Sequence, residues 1–178
     1  MFIVDDGAGG TNRKTAASRL KTYIGGGITE ADQWRITANL TNLSSNAVIT
    51  ANWERNDTDF DKIGNGMTES SGIFTFPTTG IYLVSFAIMV NGAATNYALA
   101  RIKSSTNSGT SFVTRTEAYT AMGDSSDYSN ASCNVMIDVT NASTFRVRFE
   151  GESQNAITYL GNTNQNNTWV NFIRLGDT

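Results

Sequence analysis

Ile81 to Val90 (Ile-Tyr-Leu-Val-Ser-Phe-Ala-Ile-Met-Val) is apolar at nearly every position, and this constrains the fold more than any other stretch. Read as a strand, it points Tyr82, Val84, Phe86, Ile88 and Val90 to one face. Ile81, Leu83, Ser85, Ala87 and Met89 go to the other. A strand with one wet face alternates cleanly. This one does not, so both of its faces are covered. One lines the core of the domain; the other needs a second sheet or a second copy of the chain. Just upstream stands the only proline, Pro77, in Phe76-Pro-Thr-Thr-Gly80, where proline and glycine suit a tight connection between strands.

Further strands follow at the short, turn-separated spacing of a sandwich or jelly roll. Ala47 to Trp53 reads as the first, before a polar stretch from Glu54 to Ile63 and a turn at Gly64 to Gly66. Asn91-Gly92 signals a hairpin after the central strand, and Tyr97 to Lys103 is the returning strand. Ser111 to Thr120 and Ser132 to Val139 are strands as well. Phe145-Arg-Val-Arg-Phe149 alternates fully, with Arg146 and Arg148 outward. Ile157 to Leu160 and Thr168 to Leu175 close the fold. In the last, Trp169, Val170, Phe172, Ile173 and Leu175 again leave neither face polar.

Ser71 to Phe86 resembles the strand-turn-strand signature of the globular heads of C1q and tumour-necrosis-factor-like proteins. There an aromatic-x-aromatic-Pro precedes a Gly-x-Tyr-x-x-Ser-aromatic strand. Phe172-Ile-Arg-Leu-Gly176 is similar to the closing strand of that family. The resemblance runs from about Ile28 to the C-terminus, and it implies an antiparallel jelly roll assembled as a homotrimer. Ala31 to Thr37 is similar to the lead-in of C1q-like heads of bacteriophage virion proteins, and Asp5 to Lys14 resembles a segment that joins a fibre stem to a distal domain. The resemblance therefore implies a virion protein at a phage tail-fibre or appendage tip, located on the particle surface. A capsid decoration protein and a non-viral C1q-like ligand-binding module are the alternatives. The sequence departs from mammalian heads at Gly123 to Asn130 and Gly161 to Asn167, so no ligand site is carried over.

The expected organisation is an attachment or trimerisation segment over residues 1–27, a lead-in over 28–46 and the head over 47–178. In the first, Thr15 can cap a short helix that sets Leu20, Tyr23 and Ile24 along one side, with Gly25 to Gly27 stopping it. So short a helix is marginal alone. Its apolar side is expected to meet copies of itself, the base of the head, or another virion protein. In the lead-in, Trp34 and Ile36 share a face, opposite Gln33 and Arg35, and Trp34 is expected to plug the bottom of the head.

Surplus apolar area on the central and last strands marks an assembly interface. Burying ~800 Å² per chain at ~25 cal/mol/Å² gives a gross term of about 20 kcal/mol before association costs. Trp34, Phe76, Tyr82, Leu83, Phe86, Met89, Trp169 and Phe172 are the residues expected in the core or at that interface.

The 178-residue chain has 16% charged residues, a net charge of −3 and a pI near 4.9, without the basic stripe of a nucleic-acid binder. No stretch is apolar and long enough for membrane insertion, and the N-terminus lacks a signal peptide's basic start. The absence of histidine removes a Ser-His-Asp or Cys-His site and the commonest metal ligand. No cofactor and no catalysis are expected. Cys133 is the lone cysteine and reads as a small apolar group. Asp57, Asp59 and Asp61 have the alternating spacing of a calcium loop, but Lys62 stands where glycine belongs. They read as solvated loop, as do Asp124 and Asp127. The loops 104–110, 123–130 and 162–167 are candidate contact surfaces for a host glycan or protein, through Asn107, Asp124, Asp127, Tyr128, Asn164 and Asn166.

Overall fold

The computed structural model describes residues 2–4, 13–15, 27–41, 43 and 46–178. Every regular element among them is a strand: β1 (Phe2–Val4), β2 (Arg13–Thr15), β3 (Ala31–Ile36), β4 (Leu40–Thr41), β5 (Ala47–Val48), β6 (Trp53–Arg55), β7 (Lys62–Ile63) and β8 (Thr68–Ser70). These are followed by β9 (Ile73–Thr75), β10 (Gly80–Asn91), β11 (Thr95–Ser105), β12 (Val113–Met122), β13 (Tyr128–Val139), β14 (Arg146–Ser153), β15 (Thr158–Tyr159) and β16 (Trp169–Gly176). β1 and β2 pair with each other. The helix expected after Thr15, with Leu20, Tyr23 and Ile24, falls outside the described residues.

Two antiparallel sheets make the body. The first runs β13-β10-β16-β3, with β6 and β7 beyond β3 and β15 and β4 at one end. The second runs β12-β11-β14-β9-β8, with β5 also on β14. Inward residues of both sheets alternate as the pleat demands, so Tyr82, Val84, Phe86, Ile88 and Val90 meet Ile102, Val147 and Phe149 in one core. Aromatic edges lock its centre: Phe74 packs T-shaped on Phe149 at 5.4 Å and on Trp53 at 5.3 Å.

Three expectations are corrected, two because the chain changes sheet where the sequence reads as a local feature and one because a strand lies within the lead-in. The Asn91-Gly92 pair does not close a hairpin. Both edges of β10 are already taken, by β13 on one side and β16 and β15 on the other, so the chain crosses to β11 in the other sheet. Ala47 to Trp53 is not one strand: β5 and β6 belong to different sheets, and Asn52 at φ 64° lies where the chain crosses. The lead-in is not all linker, since β3 is hydrogen-bonded between β16 and β6. The Pro77 segment likewise carries the chain between sheets, from β9 to β10.

Candidate assembly face and contact loops

The outward face of the first sheet is built in rows, because residues paired across antiparallel strands share a side. One row is apolar: Met136, Leu83, Ile173, Ala31 and Ile63, in the order β13-β10-β16-β3-β7. The next is polar: Asn134, Ser85, Asn171 and Gln33. Beyond it come Ser132, Ala87, Trp169 and Arg35, then Asn130 and Met89. Met136 is 69% exposed, Leu175 55%, Phe60 42% and Ile63 41%, so half of the exposed large hydrophobics among the described residues gather on or beside this face.

Two members of the polar row, Gln33 and Asn171, are bonded within the chain. Gln33 Nε2 donates to Asn171 Oδ1 at 2.7 Å, while Asn166 Nδ2 at 2.7 Å and Asn56 Nδ2 both donate to Gln33 Oε1. The two side-chain amide oxygens bonded in this way can be covered without being left unpaired. Above them Arg35 shares the face of Gln33, as expected, but is only 1% exposed. Its guanidinium reaches Glu54 at 3.2 Å, Asp57 at 3.5 Å, Asn56 Oδ1 at 3.2 Å and Thr58 Oγ1 at 3.0 Å. It thereby fastens the 56–61 loop beside β3, and that loop presents Phe60. Phe60, Ile173, Ala31, Gln33 and Asn171 then line a recess of about 200 Å³.

The eight residues expected in the core or at an interface divide by the pleat. Phe76, Tyr82, Phe86 and Phe172 are at most 2% exposed and belong to the core of the single chain. Trp34 also points inward, edge-on to Phe74 at 5.5 Å with Arg55 stacked 4.6 Å from its ring, and it sits opposite Val170 rather than plugging the bottom of the head. Leu83, Met89 and Trp169 are half-buried on the outward face. Met136 and Phe60 went unnoticed in the sequence. A signal for Met136 existed: the outward positions Asn130, Ser132, Asn134 and Asp138 of β13 are polar, and Met136 breaks that series.

The second sheet has a different outward face. Glu150, fully buried, receives Arg148 Nη2 at 2.7 Å on Oε1. Its Oε2 is held by charge alone, with Lys103 Nζ at 3.0 Å and Arg101 Nη1 at 3.6 Å. Arg101 Nε donates to Glu117 at 2.7 Å, and this holds the Glu117 carboxyl below its ordinary value. Tyr119 donates to the same carboxylate at 2.8 Å. This face is charged and internally paired.

Strand directions sort the contact candidates by end. β10 runs from Gly80 towards Asn91, and Ile81 pairs with Gly176, so residues near 30, 80 and 176 share one end; Arg174 ties them, donating to Thr79 O and to Thr29 Oγ1. Asn107, in the loop between β11 and β12, lies at that same end, while Asp124, Asp127, Tyr128, Asn164 and Asn166 lie at or towards the other. Tyr128 is 63% exposed. Asp127 Oδ2 accepts from the Gly123 and Asp124 amides at 3.0 and 2.9 Å, and Asp124 is held low by the Ser126 amide at 2.9 Å. Both carboxylates are thus engaged in their own turn, and Asn166 is committed to Gln33. No three His, Cys, Asp or Glu side chains among the described residues gather to hold a metal ion, and Asp57 turns to Arg35 rather than to Asp59 and Asp61.

No protein-family model and no curated protein matches this chain. Solved structures do. Murine APRIL at pH 5.0 superposes with a TM-score of 0.60 at 14% identity, over 82% of this chain and 98% of that one. Eiger TNF from S. frugiperda superposes with a TM-score of 0.62 at 12% identity, over 83% and 93%. The fold is an all-β, TNF-like jelly-roll sandwich.

Proposed function

We propose that the chain is a non-enzymatic structural head that assembles as a homotrimer through the outward face of the β13-β10-β16-β3 sheet, and that it forms the tip of a bacteriophage tail fibre or appendage. One observation carries the assembly: this sheet leaves an apolar row and a row of uncharged polar side chains uncovered, whereas the other sheet's outward face is paired charge. Coverable surface on one side only is the mark of a surface meant to be buried. The end remote from residue 30, with Tyr128 and Asn164, is the host-facing end, contacting a glycan or protein. The N-terminal segment, with Leu20, Tyr23 and Ile24, joins another virion protein.

Light scattering on the purified chain is expected to give three times its 19.2 kDa mass; a stable monomer overturns the assembly. Immunogold labelling of virions is expected on the tail. Label confined to the head would instead indicate a decoration protein, and an unlabelled particle would remove the virion assignment.

A further inference from the structure

The geometry points to a specific contact inside that assembly: Met136 of one copy seats in the recess framed by Phe60 and Ile173 of the next, closing a ring. The inference rests on the homotrimer reading and adds the pair of surfaces that meet.

The two halves of the contact differ in character. Met136 stands out, 69% exposed, on the last strand of its sheet, since β13 pairs only with β10 among the described residues and has β12 of the other sheet along its far side. It is a flexible, unbranched side chain suited to filling an irregular hollow. The recess of about 200 Å³ lies beyond Ile173, towards the opposite side of the sheet, with an apolar floor of Ala31 and Ile173 and an aromatic wall of Phe60. Knob and socket cannot meet within one chain, because Leu83 and the β10 and β16 backbones lie between them.

Their level matters more than their distance. Met136, Leu83, Ile173 and Ala31 share one register row, so knob and socket have the same height along the strands. A rotation about an axis parallel to the strands then brings the knob of one copy to the socket of the next with no axial offset. Contacts between two different patches close into rings only when that offset vanishes; otherwise they propagate as filaments. The socket is also made ready in the free chain. Arg35 pins the loop that carries Phe60, and Gln33 and Asn171 bond each other at its edge, so little ordering cost remains for assembly.

The test is a cross-link in a Cys133→Ala background, which removes the only native thiol. Met136→Cys and Phe60→Cys are made singly and together in the full chain and treated with a short bismaleimide. Both positions are partly exposed, and each variant is first checked for the parent's melting temperature. The double variant is expected to yield covalent species up to three chain masses, while each single variant stays at one. Trimers by light scattering without cross-linking in the double variant overturn this contact and leave the assembly standing. Covalent pairs that never reach three chains overturn the ring. A monomer by light scattering overturns the assembly reading itself.

Discussion

Glu150 shows how much at the residue scale depends on neighbours remote in sequence. Its carboxylate has no exposed surface, yet Arg101, Lys103 and Arg148 converge on it from two strands. Breaking a buried ion pair by deleting one partner leaves uncompensated charge, so Glu150→Ala is expected to cost about 3 kcal/mol in urea unfolding. Cys133 gives the opposite case. Burial pushes its thiol from 9.0 up to about 12, so the fold favours the protonated form. A pKa raised in the folded state adds stability that is complete below pH 9 and is lost as pH climbs from 9 towards 12. A disulfide-exchange reagent at pH 8 is expected to leave the native thiol untouched and to titrate one thiol per chain in denaturant. The sequence reading of Cys133 as a small buried group was legible from residue type alone. That of Arg35 was not. Periodicity assigns it an outward direction correctly, but nothing local to β3 announces that residues 54–58 fold over that side.

At the scale of elements, the tightest turn is set by purely local chemistry. Ser71 and Gly72, at φ 52° and 80°, join β8 to β9 as a two-residue hairpin in which both central residues are left-handed. A Cβ at Gly72 would lie 2.3 Å from the Ile49 carbonyl oxygen, against backbone that cannot swing aside. Gly72→Ala is therefore expected to destabilise by about 2 kcal/mol, read as a lowered urea midpoint with unchanged m-value. Strand existence and inward faces followed from alternation, as at Phe145, Val147 and Phe149, all buried. What alternation cannot reveal is which sheet a strand joins. Asn91-Gly92 has hairpin composition, but strands from much later in the chain already occupy both edges of β10. Ala47 to Trp53 is uniformly strand-like in sequence, but its two ends pair with different partners.

Across the whole molecule, the apolar excess of β10 and β16 was legible as strands with no polar face, the strand spacing pointed to a sandwich or jelly roll, and the resemblance of Ser71 to Phe86 implied the jelly roll. The recess beside Phe60 was not, because it requires a loop, two strands and a buried arginine to come together. The two faces of β10 predict contrasting variants. Val84→Asp puts a charge into the fully buried core and is expected to abolish folding, visible as loss of the β-sheet circular dichroism signal. Leu83→Asp, one residue earlier and half-buried on the outward side, is expected to keep that signal while shifting the light-scattering mass to a single chain. If Leu83→Asp also unfolds the protein, the outward face is core rather than interface.

The place of β16 between β10 and β3 has a consequence for how the chain is made. Gln33 and Asn171, bonded neighbours in the finished sheet, are separated by 138 positions along the polypeptide. At ~5–20 residues per second, a ribosome needs roughly 7–28 s to cover that span. β3 waits through that interval, and β10 through its later part, without the strand that joins them. Completion of this sheet therefore waits for the synthesis of β16 and is a slow, long-range closure, and nascent chains stalled before Trp169 are expected to stay protease-sensitive and chaperone-bound.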